Sequence, residues 1–110
     1  MKLPELSIVG LVTLGFAAIL PAALNARSNM GDADLGRELF DDWGCGDCHV
    51  LADAGAEGMI GPSLDGNPNL SYDFIISRIT DGQGAMPPFG GQLSEEEIAS
   101  LAAYVMEAAE

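Results

Sequence analysis

Residues 44–50 read Gly44-Cys45-Gly46-Asp47-Cys48-His49-Val50, and this stretch holds both cysteines and the single histidine of the 110-residue chain. All the soft-ligand chemistry of the protein is therefore concentrated in one turn. Three ordinary uses of such a turn fail on the rest of the sequence. A structural zinc site wants four ligands, mostly Cys and His, with a second pair some distance away, and no second pair exists. A thioredoxin-like dithiol sits where a strand meets a helix in a βαβ setting, and no segment here has the alternating β-branched pattern of a strand. A disulfide between residues three apart closes too short a loop to restrain much of the unfolded chain.

The remaining use is covalent attachment of a c-type haem, which the pattern C-x-x-C-H matches. In a helical turn, Cys45 and Cys48 project to one side and can form thioethers with the two vinyl groups. His49, next in the chain, is then held under the ring with its imidazole aimed at iron.

Size gives that reading a structural motive. From Leu6 to Ala26 there is no charged residue, with Lys2 before the run and Arg27 after it. Residues 1–26 read as a secretory signal ending in small residues. The competing reading, which ranks second, is an uncleaved anchor, since about 20 apolar residues suffice to span a bilayer. Glu5 counts against the signal and Pro21 against the anchor; both readings export everything beyond Ala26, to the periplasm. Without residues 1–26, 84 residues remain, near the size at which one apolar core rarely holds without a staple. Residues 50–69 are rich in Gly, Pro, Ala and Asp and read mostly as loop. A large apolar macrocycle fixed to Cys45 and Cys48 would supply the missing centre.

Charge excludes one class of partner. The chain has 17 acidic and 4 basic residues, a net charge of −13. The exported part keeps only Arg27, Arg37 and Arg78 on the basic side. Nucleic-acid binding needs a basic surface and is excluded. The acidity serves either solubility or docking to a redox partner with a basic patch.

The periodicity is helical. Residues 27–34 read as a flexible lead. Leu35, Leu39, Phe40 and Trp43 predict a first helix over 35–42, with Asp34 as its cap. Ser71 and Gly82 bracket a second over 72–81, with Phe74, Ile75 and Ile79 on its apolar side. Ser94 and Glu97 form a capping box for the last, with Leu93 and Ile98 as a hydrophobic staple. Its apolar face runs on through Leu101, Ala102 and Val105. The expected class is all-α.

These features together resemble the class I cytochromes c, of the small bacterial single-haem kind, over roughly residues 35–108. Beyond Cys45, Cys48 and His49, the resemblance rests on Gly61-Pro62, on Gly84-Ala85-Met86-Pro87-Pro88-Phe89 and on Leu101–Val105. It implies a domain over 35–110 with three to four helices and loops wrapped around one haem c. It implies Met86 as the second axial ligand and the Pro62 carbonyl as acceptor of the His49 N–H. Phe40 and Tyr104 would mark the crossing of the first and last helices, with Gly36 allowing close approach.

Met86 has one rival. Met1 is the initiator, Met30 precedes the fold, and the last helix packs Met106 on its inner face. Met59 lies in a loop near Gly61, but only ten residues from His49, a tight wrap to the opposite haem face. Met86 is thirty-seven away, with a helix between, and Pro87 and Pro88 stiffen its backbone. Arg78 reads either as a partner for a haem propionate or as a solvated surface residue.

The expected function is one-electron transfer outside the cytoplasm, in a respiratory, photosynthetic or dehydrogenase-linked chain. His49 and Met86 fill both axial positions and make the protein a carrier rather than an enzyme. The alternatives are a small-ligand-binding or peroxidatic haem protein, and an exported dithiol oxidoreductase. The mitochondrial pattern of lysines around the haem edge is absent here, so its partners do not carry over.

Overall fold

A computed structural model describes residues 30–110, together with residue 10 and residues 12–17. The leader expected over 1–26 lies otherwise outside the described residues. Residues 12–17 form no regular secondary structure, and no described helix is long and apolar enough to cross a membrane.

Among the described residues three α-helices carry the fold: α1 (Ala33–Asp42), α2 (Tyr72–Asp81) and α3 (Glu95–Ala108). α3 begins where the sequence placed it. The Ser94 hydroxyl accepts from the Glu97 N–H at 3.1 Å, and the Glu97 carboxylate accepts from the Ser94 N–H at 2.8 Å. Leu93 and Ile98 are both buried beside this cap. A cap of this kind contributes about 1 kcal/mol, and the staple fixes the angle at which the chain enters the helix. α2 is capped by Ser71, whose hydroxyl accepts from Phe74 N–H at 3.2 Å, and it stops at Gly82, whose φ of 67° L side chains rarely adopt.

α1 departs from expectation at its start. The cap is Asp32 rather than Asp34, and the helix takes in Ala33 and Asp34 from the stretch expected as lead. The Asp32 carboxylate accepts from the N–H groups of Asp34 at 2.9 Å and Leu35 at 3.4 Å. Its own N–H donates to the Ser100 hydroxyl on α3 at 3.0 Å. A tertiary contact thus sets the helix start two residues early, and local sequence carries no sign of it.

The core lies where α1 crosses α3. Leu39 and Phe40 from α1 meet Ile98, Leu101, Ala102, Tyr104 and Val105 from α3, all buried. Phe40 and Tyr104 pack edge to face, with centroids 5.8 Å apart and planes at 71°. A Cβ at Gly36 would run into the Ser100 carbonyl and the Tyr104 Cβ, so the crossing distance depends on glycine there.

The loop expected over 50–69 contains one ordered piece that the sequence reading left out. Val50–Leu51 (β1) pairs antiparallel with Ala56–Glu57 (β2), with Val50 opposite Glu57 and Leu51 opposite Ala56. The short 3₁₀ turn Ala52–Ala54 and Gly55, at φ 62°, close the hairpin. Two residues per strand are too few to show alternation, so no period-2 pattern was there to read. Met106, expected on the inner face of α3, is instead 43% exposed.

The hairpin is tied to the helix crossing through Asp53. The Tyr104 hydroxyl donates to the Asp53 carboxylate at 2.7 Å, and Arg37 approaches the same carboxylate at 3.5 Å. Burial first, and then the Asp53 carboxylate, push the Tyr104 hydroxyl from 10.0 up to about 12; Arg37 opposes the shift. The unfolded chain therefore loses this proton before the folded one does. The stability that the folded form's raised value contributes is whole below pH 10 and disappears as the pH climbs to about 12. Tyr104→Phe is expected to cost about 0.5–1.5 kcal/mol at neutral pH and to flatten the alkaline fall in stability. Urea unfolding at a series of pH values across that window measures both.

Candidate haem site

The cysteine turn is a 3₁₀ segment, Cys45–Asp47, entered through Gly44 at φ 67°. The N–H groups of Cys48 and His49 both bond the Cys45 carbonyl, at 3.2 and 3.0 Å. In a 3₁₀ turn, residues three apart lie one above the other, so Cys45 and Cys48 share a side. They face a cavity of about 600 Å³ between the three helices and the loops that join them.

Two loops bring the other groups to that cavity. The first, residues 58–62, clamps the cysteine turn. Gly58 N–H donates to the carbonyls of Gly46 and His49, and Gly61 N–H donates to the Cys48 carbonyl at 2.7 Å. His49 Nδ1 lies 2.7 Å from the Pro62 carbonyl oxygen. A carbonyl only accepts, so Nδ1 carries the proton and Nε2 keeps its lone pair for a metal. The ring lies flat on the backbone of Gly61, where a Cβ would come within 2.6 Å of Cε1 and 2.9 Å of Nδ1.

The second loop carries Met86. Gln83 and Met86 exchange both backbone hydrogen bonds, each at 3.0 Å, in a turn that opens at Gly82. A Cβ on Gly82 would meet the Met86 carbonyl and Pro87. Beyond the turn, Phe89 and Gly90 bond back to the carbonyls of Ile79 and Thr80 at the end of α2. Met86 is thus fixed to the helix that separates it from the histidine in sequence.

Cys45, Cys48, His49 and Met86 all line the one cavity, together with Gly61 and Pro62. Met59 does not line it and is 89% exposed. The remaining walls are mostly apolar: Phe40, Trp43, Ile60, Leu64, Leu70, Phe74, Ile75, Ile79, Phe89, Leu101 and Val105. Trp43 and Phe89 pack edge to face at 6.0 Å. Such a chamber, with two thiols on one side, an imidazole nitrogen free and a thioether across, fits a flat apolar macrocycle bearing a metal. Burial pushes the Cys45 thiol up to about 11. A reactive dithiol is one whose thiolate is favoured, and burial acts the other way at Cys45.

The comparisons with known proteins agree. Residues 31–105 match the family model described as cytochrome C oxidase, cbb3-type, subunit III. The chain is 36% identical over 113 residues to cytochrome c6 of Rippkaea orientalis, covering 96% of this chain and 93% of that protein. The family is thereby settled. This chain belongs to the class I c-type cytochromes. Among solved structures it is similar to the c-type cytochrome SorU of Sinorhizobium meliloti, at 39% identity and a TM-score of 0.64, over 70% of this chain and 90% of that one. Cytochrome c6 of the diatom Phaeodactylum tricornutum is similar at 40% identity and a TM-score of 0.60, over 72% and 95%. As a member of this family, the cytochrome carries one covalent haem c and transfers electrons; it is not an enzyme.

Sequence reading missed the parts of the site that only hold others in place. Gly58 and Gly82 belong to the clamps on the cysteine turn and on Met86, and Ile60 and Leu64 line the cavity. Single glycines in a Gly-rich stretch do not announce which backbone they touch. Gly61→Ala is expected to push the His49 ring off the Pro62 carbonyl, costing about 1–3 kcal/mol of stability. Chemical unfolding measures the loss, and the His49 ring resonances report the movement; an unchanged ring environment would refute the packing described.

Proposed function

We propose that Cys45 and Cys48 hold the haem through thioethers and that His49 and Met86 are its axial ligands. The observation that carries this is that all four line one cavity while Met59, the rival thioether, stays outside it. Haem supplies the one-electron couple. The chain's own part is to keep both axial groups seated, so that ferrous and ferric forms differ little in geometry and no substrate position opens. Gly61 and Pro62 do this for His49, and the turn from Gly82 to Met86 does it for the thioether. Methionine–histidine ligation raises the potential relative to other axial pairs. The apolar walls act in the same direction, because they solvate the more charged oxidised form poorly.

The protein works outside the cytoplasm on this reading, delivered by residues 1–26 acting as a cleaved signal or a retained anchor. Residues 27–34 give a short lead into the domain over 35–110. The partners are redox proteins with a basic docking patch, since a net charge of −13 repels an acidic one during encounter.

Two experiments test the proposal. After denaturation and extraction with acidified organic solvent, haem stain is expected to stay with the protein band. Met86→Ala is expected to abolish the sulfur-to-iron charge-transfer band of the ferric protein, lower the potential and admit carbon monoxide to the reduced form. A parent protein that itself binds carbon monoxide readily would favour the small-ligand-binding alternative instead, and a variant that keeps the band would move the ligand to Met59.

The charge reading has its own measurement. Reduction by a small cationic metal complex should slow as salt is added, whereas oxidation by an anionic complex should quicken, because screening removes attraction in one case and repulsion in the other. A flat salt profile in both would assign the acids to solubility.

A further inference from the structure

We infer that Asp65 is a positioning residue for the axial histidine: its carboxylate fixes the loop whose Pro62 carbonyl orients the His49 ring. The inference rests on the reading of His49 as a haem ligand given above.

The bond that orients the ring is open to competition. Pro62 and Ser63 are exposed, so water competes for the Pro62 carbonyl, which meets His49 Nδ1 at 2.7 Å. Proline has no N–H of its own to anchor this point of the chain. Upstream, Gly58 and Gly61 bond to the cysteine turn. Downstream, the Leu64 N–H donates to the Val50 carbonyl at 2.9 Å, and the Gly66 N–H donates to the Glu110 carbonyl.

Asp65 stands between those two ties and links them. Its Oδ2 accepts from the Ala52 N–H at 2.7 Å, and its Oδ1 accepts from the Glu110 N–H at 3.3 Å. Among the described residues 58–69 no other side chain hydrogen-bonds outside the loop. The Ser63 hydroxyl donates to the Asp65 carbonyl, and the Asn67 side chain accepts from the Asn69 N–H. Residues 62, 64 and 65 therefore meet 49, 50 and 52 in order, and Asp65 closes this irregular ladder at its far end. The same half-buried carboxylate joins the ladder to the residues that follow α3. Charged acceptors on backbone N–H groups make shorter and stronger bonds than neutral ones.

The consequence for iron has a definite sign. A hydrogen bond from Nδ1 to a carbonyl makes Nε2 a more basic ligand, which favours the more positive ferric iron. Releasing the loop weakens that bond and favours the ferrous state. Loss of the Asp65 charge acts in the same direction. Exchange of the Nδ1 proton separates the two effects, because it follows the bond and not a distant charge.

The test uses the full-length haem-loaded protein, with hydrogen exchange read by NMR in the ferrous state and potentials by spectroelectrochemistry. Asp65→Ala is expected to exchange the His49 Nδ1 proton about tenfold faster. It should also shift toward the ferrous form by about twofold to fivefold at a given ambient potential. Asp65→Asn lacks the same charge yet keeps an acceptor for Ala52, so it should lie closer to the parent on both measures. Tyr104→Phe loosens the same hairpin through Asp53 and should leave the Nδ1 exchange where it is. Unchanged exchange in the Ala variant, or Ala and Asn variants that behave alike, would overturn the role of Asp65 and leave the haem reading standing. Fast exchange in Tyr104→Phe would overturn it too, by making any loosening of the hairpin sufficient. If the Ala variant takes no haem, the parent decides. There the His49 Nδ1 proton and the Ala52 N–H should exchange through one opening with the same dependence on low urea, and unlike dependences refute the clamp. A parent protein that takes no haem would sink the haem reading itself.

Discussion

The seating of His49 is the constraint on which the rest of this cytochrome depends. An imidazole can face a metal in a fixed direction only if its other nitrogen is held and its ring has a surface to lie on. The Pro62 carbonyl, 2.7 Å from Nδ1, does the first, and the bare backbone of Gly61 does the second. Both belong to a loop that is itself bonded to the cysteine turn through Gly58 and Gly61. The ring, the loop and the turn therefore form one unit. Displacing any of them moves the direction in which Nε2 points.

The helices bring that unit and Met86 to the walls of one cavity. α1 and α3 cross at Gly36 and leave the cavity on the far side of Phe40 and Leu101, which serve both the crossing and the chamber wall. α2 then lies between His49 and Met86 in sequence and, through Ile79 and Thr80, holds the segment that follows Met86. A domain this small cannot bury enough apolar surface by itself to be generous with stability. Its three helices meet fully only along α1 and α3, while α2 contributes one buried residue, Ile75, to the core. Phe74 and Ile79 of the same helix line the cavity, while Ile76 packs partly buried against the core. The fold is organised around a group that is not polypeptide.

Electrostatics divides the molecule along the same line. The acids cover the outside of the helices and the loops, and the cavity lining contains none of them among the described residues. The net charge of −13 belongs to the surface, whereas the cavity lining carries one permanent charge, Arg78, among the described residues. These two properties can vary independently, because surface charges are screened over about 10 Å at ordinary salt and cavity charges are screened much less.

The sequence by itself determined the chemistry and most of the helices. Cys45, Cys48 and His49 lie within five residues, so the C-x-x-C-H pattern of haem attachment was legible without any fold. Ser71, Ser94, Glu97 and Gly82 act on backbone groups within four residues, so the bounds of α2 and the start of α3 were legible too. Where local rules met a distant contact they failed. Asp34 was an adequate cap on paper, and Asp32 is the cap because Ser100, sixty-eight residues away, holds its N–H. Met106 had helical spacing for the core, but the turn of α3 relative to its neighbours leaves it 43% exposed. The pairing of Tyr104 with Asp53, and the lack of an acidic partner for Arg78 among the described residues, are likewise facts of packing. A sequence states which groups are present and which neighbours along the chain they can reach; which distant backbone a glycine admits, and which charge is left without a partner, is decided only when the helices have crossed.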